Sequence, residues 1–216
     1  MSHLKRQAVP KTWPVHRKGT TFVVSPSFAK NSGIPVLIVL RDMLKVAEIR
    51  GEVKKAINSK LILINNKEVK DDKQSMLLFD TLTLVPTKQC YRLILKINGK
   101  FDLEKISEAE SSKKISKIVD KKVLKGKKMQ LNLSDGRNVL SNEKCKINDS
   151  VLINLKSKKI EKCIVFKEGA KVFSFGGKHT GKTGKIISIN PELKIAKIDF
   201  GEDKIDVLIK QLIVIE

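Results

Sequence analysis

Cysteine is rare in this sequence. Cys90, Cys145 and Cys163 lie far apart, are odd in number and never form a C-x-x-C pair. That spacing supports neither a disulfide framework nor a zinc site built from this chain alone. The expectation is of buried or partly buried thiols in a reducing cytosol. Histidine is equally scarce, and His3, His16 and His179 form no catalytic cluster visible in the sequence. Long apolar runs are missing too. The longest, such as residues 36–40 and 61–64, fall well short of the roughly 20 residues a spanning helix needs. Pro10, Lys11 and Pro14 stand where a secretory leader would place its apolar stretch. A soluble, cytoplasmic protein is expected.

Acidic residues are also in short supply. There are 23 against 44 lysines and arginines, which leaves a formal charge of +21. A charge of that size speaks to partners rather than fold, and the natural partner is a polyanion. With no membrane segment in view, nucleic acid is the better choice. The bases are mainly lysine, for Arg6, Arg17, Arg41, Arg50, Arg92 and Arg137 are the arginines. Lysine is a hydrated point charge, whereas arginine makes forked contacts. Phosphate contacts position a protein without reading bases. The composition therefore favours recognition of backbone and shape.

What is present is ordered along the chain. Residues 1–31 carry cations and no acid, the first acid being Asp42. Pro10, Pro14 and Pro26 oppose a continuous helix there. A basic arm is expected, with Trp13 and Phe22 as anchors, mobile in the free protein and ordered on RNA. From Ile34 the pattern becomes helix, helix, hairpin. Pro35 opens the first helix, residues 50–58 form the second, and residues 61–64 and 67–70 flank an Asn65-Asn66 turn. Another strand covers 81–84. Arg41, Lys45, Arg50, Lys54, Lys55, Lys60 and Lys67 surround this module, balanced by Asp42, Glu48, Glu52 and Glu68. Hairpins follow at 91–103, 130–140 and 151–166, turning at Asn98-Gly99, Asp135-Gly136 and 156–159. Ser107-x-x-Glu110 is a capping box and predicts a lysine-rich helix to about Val119. From Gly169, short strands at 171–175, 185–189, 193–200 and 212–215, separated by glycine turns, predict a small barrel.

One motif points elsewhere. Gly176-Gly177-Lys178-His179-Thr180-Gly181-Lys182-Thr183 satisfies the phosphate-loop pattern, which requires a strand before it and a helix after it. Gly184, Ile186, Ile187, Ile189 and Pro191 all disfavour that helix. Without it no helix N-terminus faces the phosphates, so a nucleotide site is not expected.

The same segment, from Gly169-Ala170-Lys171-Val172 through Gly184-Lys185-Ile186, resembles a KOW motif. Arg50 to Ile57, Leu61 to Asn66 and Val69 resemble the S-four-type RNA-binding domain. His3-Leu4-Lys5-Arg6, Ala8, Pro10-Lys11, Trp13 and Arg17-Lys18, with Tyr91-Arg92 and Ser134-Asp135-Gly136-Arg137-Asn138, resemble the archaeal and eukaryotic ribosomal protein S-four-E family. The order of modules matches over nearly the whole chain. Ser59-Lys60 departs from it, standing where that family usually has a polar residue and glycine.

The resemblance implies an α+β, mostly β protein with a basic arm at 1–33 and an S-four-type α/β module at 34–86. A β-rich central domain at 87–166 and a KOW-type small β-barrel at 167–216 follow. It implies a non-catalytic structural constituent of the small ribosomal subunit, with ribosomal RNA and neighbouring ribosomal proteins as partners and no cofactor, metal, membrane or small-molecule substrate. Candidate RNA contacts are His3, Lys5, Arg6, Lys11, Trp13, Arg17 and Lys18 in the arm. In the module they are Arg41, Lys45, Arg50, Lys54, Lys55 and Lys60. Arg137 is the central candidate, and Lys178, His179 and Lys182 lie in the glycine loop. An RNA-modifying enzyme and a KOW-bearing transcription factor are the rival readings. The first lacks an acid cluster here, and the second leaves the arm unexplained.

Overall fold

A computed structural model describes residues 3–124, 129–141, 145–201 and 204–215. The chain forms two compact units, 1–112 and 113–216.

In the first unit Leu4–Lys5 (β1) pairs antiparallel with Phe22–Val23 (β2). Gly33–Pro35 (β3) leads into Val36–Ile38 (α1), whose axis continues as a π-helical turn over Val39–Met43. Pro35 ends β3 and caps α1, so it sits one residue ahead of the first helical position expected for it. Arg50–Asn58 (α2) buries Val53 and Ile57 and turns Lys54 and Lys55 outward. Ile62–Ile64 (β4) and Lys67–Glu68 (β5) form the expected hairpin. Asn65 and Asn66 are both left-handed at its turn, at φ +52° and +58°, as a primed hairpin turn requires. Asn65 Nδ2 donates to Asp80 at 2.7 Å, and Asn65 Oδ1 accepts from the Thr81 backbone N–H at 3.1 Å. Ser75–Leu77 (β6) pairs with β3. Thr81–Leu84 (β7), Gln89–Leu95 (β8) and Phe101–Ile106 (β9) complete a five-stranded sheet of order β5-β4-β7-β8-β9. The β8–β9 hairpin, expected in a central domain, is thus hydrogen-bonded to the S-four-type strands, and the first unit runs past 86 to Ser112.

The arm departs from expectation. Trp13 is 2 % exposed, and its indole N–H donates to the Gly33 carbonyl at 2.9 Å. The Phe101 backbone N–H donates to the Thr12 carbonyl at 2.7 Å, and the Ser27 N–H to Lys73 at 2.9 Å. A buried aromatic ring and these backbone ties fold the arm onto its own unit without RNA, because one large apolar side chain offsets much ordering entropy. Phe22, expected as a second anchor, is 53 % exposed.

The lysine-rich helix is also corrected. Ser107 Oγ does accept from the Glu110 N–H, at 3.3 Å, but the helix is one turn, Glu108–Ser111 (α3). Ser111 and Ser112 hydroxyls bond back to the carbonyls of Glu108 and Ala109, at 2.7 and 2.8 Å. Lys113–Val123 (β10) then runs as a strand. Its β-branched Ile115, Ile118 and Val119 suit an extended chain, and partners on both sides override the lysines' helix propensity.

In the second unit β10 pairs first with Ser150–Asn154 (β13) and then, from Ile118 on, with Met129–Leu133 (β11), the latter pairing carrying a bulge between Ile118 and Asp120. Asn138–Ser141 (β12) and Lys159–Ile164 (β14) flank these in the order β12-β11-β10-β13-β14. Ile118, Leu131, Leu133, Val151 and Ile153 form the core of this sheet. Lys171–Ser174 (β15), Thr183–Asn190 (β16), Ile195–Asp199 (β17), Lys204–Leu208 (β18) and Leu212–Val214 (β19) make the last sheet, β18-β17-β16-β15-β19. It curls into a half-barrel around Val172, Ile186, Ala196, Ile198 and Leu212. Two polar ties join the sheets. The Lys117 ammonium, on a residue 3 % exposed, donates to the carbonyls of Ile209 and of Leu212, the latter at 2.9 Å. The Val214 N–H donates to Ser150 Oγ at 2.9 Å.

Candidate nucleic-acid interface

The arm and the helices supply the cations of the first unit. Lys5, Lys11, Arg17 and Lys18 are exposed, and so is His3, whose ring meets Phe22 edge-on at 5.2 Å. Arg6 is turned inward instead. Its guanidinium donates to the carbonyls of Thr20 (2.6 Å) and His16 (2.8 Å) and to Thr20 Oγ1 (2.6 Å), so it shapes the 16–20 turn. Trp13 is a core residue with its ring buried.

On the helical side, Arg41 forks onto Asp42 at 2.8 and 3.0 Å. The hydrogen bond to Asp42 raises the guanidinium pKa against the opposing effect of burial. Arg50 bonds Asp72. Burial pushes the Asp72 carboxyl up, but the hydrogen bond and charge of Arg50 outweigh it, and the net shift is downward. Lys54 and Lys55 project from α2 into solvent. Lys60 ends that helix at φ +56°. The Leu61 N–H reaches back to the Ala56 carbonyl at 3.1 Å, the bond of a Schellman cap. The departure from glycine at this position therefore leaves a lysine in the left-handed region, where glycine is the unstrained choice. Its ammonium lies 3.1 Å from Glu68. Lys45 is likewise left-handed, at φ +54°, and exposed.

In the second unit Arg137 lies 3.5 Å from Asp135, a carboxyl that also accepts from the buried Lys114 at 2.8 Å. Burial raises the Asp135 pKa, and the Lys114 charge and hydrogen bond bring it below the ordinary value. Arg137 therefore helps hold the 133–137 turn. The glycine loop lies between β15 and β16, and Thr183 is the first residue of a strand. No helix follows, so the phosphate-loop requirement fails. Gly177 and Gly181 are left-handed, at φ +83° and +86°. Gly184 is not; a Cβ there would stand 2.4 Å from the Asp199 carbonyl, so its bareness serves close strand approach. Thr180 Oγ1 donates to the Gly177 carbonyl at 2.7 Å, and the Gly181 N–H to Ser174 at 2.8 Å. The His179 ring stacks on Phe200 at 5.9 Å and 23°, and the Lys182 ammonium sits 5.9 Å over the same ring. Lys178 is exposed beside them.

Phe200 is the residue that sequence reasoning missed. It organises two nominated side chains from a different hairpin. The signal was weak, an aromatic ring next to Gly201 at the end of a strand.

The comparisons agree with this architecture. Residues 87–160 match the family model "Ribosomal family S4e", and residues 2–28 match the "RS4NT (NUC023) domain". The chain is 37 % identical over 191 residues to small ribosomal subunit protein eS4 of Methanocella arvoryzae, covering 87 % of this chain and 81 % of that one. It is 36 % identical over 214 residues to small ribosomal subunit protein eS4 of Methanococcus maripaludis, covering 94 % and 87 %. The crystal structure of 30S ribosomal protein S4e from Thermoplasma acidophilum superposes with a TM-score of 0.74 at 22 % identity, over 86 % of this chain and 96 % of that one. At such identity the superposition speaks for the fold. The sequence relationship, sustained from the arm to the curled C-terminal sheet, places the chain in the ribosomal S4e family.

Proposed function

We propose that the chain is a non-enzymatic, structural constituent of the small ribosomal subunit. It binds ribosomal RNA mainly through backbone phosphates and adjoins other ribosomal proteins in the cytoplasmic ribosome. Family membership supports the ribosomal role. The observation that carries the phosphate reading is α2, which buries Val53 and Ile57 and presents Lys54 and Lys55 to solvent in a chain of charge +21. Exposed ammonium groups on long stems make salt-sensitive contacts that do not read bases. Lys5, Lys11, Arg17, Lys18 and Lys178 extend the same chemistry. The arm and the α2 hairpin serve as one RNA-facing module and the glycine loop as another.

The test is co-sedimentation with small subunits, followed by binding of a small-subunit RNA fragment across ionic strength. Six to ten phosphate contacts would weaken binding about 10³- to 10⁵-fold between roughly 50 and 200 mM salt on the duplex scale. Lys54→Ala and Lys55→Ala should each reduce the slope by about one. Flat affinity over that range would refute the phosphate reading.

A further inference from the structure

A groove of about 590 Å³ lies within the first unit, between the N-terminal arm and the π-helical turn. Ligand sites of small molecules fall in the range of about 300–1,000 Å³. Its walls carry Arg6, His16, Phe22, Arg41, Asp42 and Lys45.

The arm wall is built in advance. Arg6 uses three hydrogen bonds to hold residues 16–20. Gly19 sits at φ +135°, and a Cβ there would meet the Arg6 guanidinium carbon at 3.3 Å. The turn is thus fixed by contacts that do not involve RNA. The opposite wall is irregular. The Leu44 N–H reaches the Val39 carbonyl at 3.0 Å, a π-helical bond, and beyond it the Val46 N–H closes a wider turn onto the Leu40 carbonyl at 3.0 Å. π-turns of this kind recur at functional sites. Lys45 follows in the left-handed region at φ +54°. It ends this helix as Lys60 ends α2, and its side chain lines the groove.

The chemistry is mixed. Phe22 leaves 53 % of its surface exposed on a short, paired strand. His16 and Lys45 are exposed cationic or hydrogen-bonding groups. The Asp42 carboxylate and the His16 and Thr20 carbonyls are engaged by Arg41 and Arg6, so they shape the groove. A flat apolar ring and an exposed cation in one groove match the base and phosphate of a nucleotide. A stacked duplex cannot offer an isolated base face; a single-stranded or bulged residue can.

Resting on the RNA-binding reading above, we infer that this groove takes one unstacked ribonucleotide of the bound RNA, its base on Phe22 and its phosphate at Lys45 and His16. Arg6 holds the wall and does not touch the ligand. The site adds a stacking contribution to binding that is otherwise electrostatic. Stacking is insensitive to salt, and phosphate contact is not.

The experiment uses the full chain and fluorescence anisotropy with two probes, a single-stranded oligoadenylate of about ten nucleotides and a blunt RNA duplex of equal charge. Phe22→Leu keeps an apolar side chain and removes the ring. It should weaken single-strand binding about 5- to 150-fold, the range for one stacked base. The loss should be equal at every salt concentration, with duplex binding unchanged. Phe22→Tyr should restore affinity, and Lys45→Ala should lower the salt slope by about one. Wild-type affinity in Phe22→Leu, or equal losses for strand and duplex, would overturn the inference. In the first of these cases, salt-dependent binding by the wild type would leave the RNA-binding reading standing. Failure of the wild type to bind either probe would remove both.

Discussion

Lys117 gives a prediction that separates a buried charge from the many exposed ones. Its residue is 3 % exposed, and burial lowers the ammonium pKa from 10.5 to about 8. The unfolded chain therefore binds more protons than the native one at a pH between these values. Stability must rise with pH across that window, since its slope follows the excess protons on the unfolded state. The burial cost is complete below the folded pKa and relieved above the unfolded one. Between about pH 7 and pH 10 this one group should add on the order of 2 to 3 kcal/mol of stability. Lys117→Met removes the titration and most of the volume change, but leaves the Ile209 and Leu212 carbonyls without this donor. That loss is independent of pH. Urea denaturation read by the methyl NMR signals of Ile118 and Ile198 would follow the second unit alone. The wild type should gain on Lys117→Met by on the order of 2 to 3 kcal/mol over the range. Parallel pH profiles for the two proteins would refute the account of Lys117 as a desolvated, titrating amine.

Two further outcomes follow from packing. Gly184→Ala places a Cβ 2.4 Å from a backbone carbonyl and 2.7 Å from Ile198 Cγ2, so β16 and β17 must separate. A loss of about 3 kcal/mol in urea unfolding is expected from overpacking, and a loss under about 1 kcal/mol would show that the sheet yields there. Trp13→Ala removes the arm's buried ring and its bond to Gly33, at a cost of about 3–5 kcal/mol. Trypsin should then cut at Lys5 and Lys11 much faster than in the wild type, and an unchanged digestion rate would mean that the arm is fixed by something other than Trp13.

Much of the fold was legible because it rests on local chemistry. Asn65-Asn66, Asn98-Gly99 and Asp135-Gly136 mark hairpin turns by their tolerance of left-handed backbone, and each hairpin formed. Residues 81–84 match β7 to the residue. The failures lie where distant partners decide. β10 carries a capping signal and a run of lysines, yet two neighbouring strands make it extended. β6 is a short strand whose pairing with β3 spans about forty residues, beyond any local pattern. β18 buries only Val207 fully among its five residues, too weak an apolar pattern to stand out. The glycine loop was legible by elimination, from the residues that forbid a helix after Thr183.

Charge was legible in the sequence, but not which cations the fold would engage internally. Arg6 bonds carbonyls of the 16–20 turn, Arg41 bonds Asp42, and Arg50 bonds Asp72. Arg92 lies 3.9 Å from Glu110, and Arg137 is paired with Asp135. Their planar forks match the protein's own carboxylates and carbonyls, as that geometry favours. Lysines such as Lys11, Lys54, Lys55 and Lys178 stay at the surface, where a hydrated point charge loses little water until a phosphate arrives. Lys114 and Lys117 invert the pattern, being buried and bonded within the second unit. A sequence count treats all these cations alike. In the folded chain most of the arginines are bonded to the protein's own carbonyls and carboxylates, and lysines such as Lys11, Lys54, Lys55 and Lys178 are left at the surface.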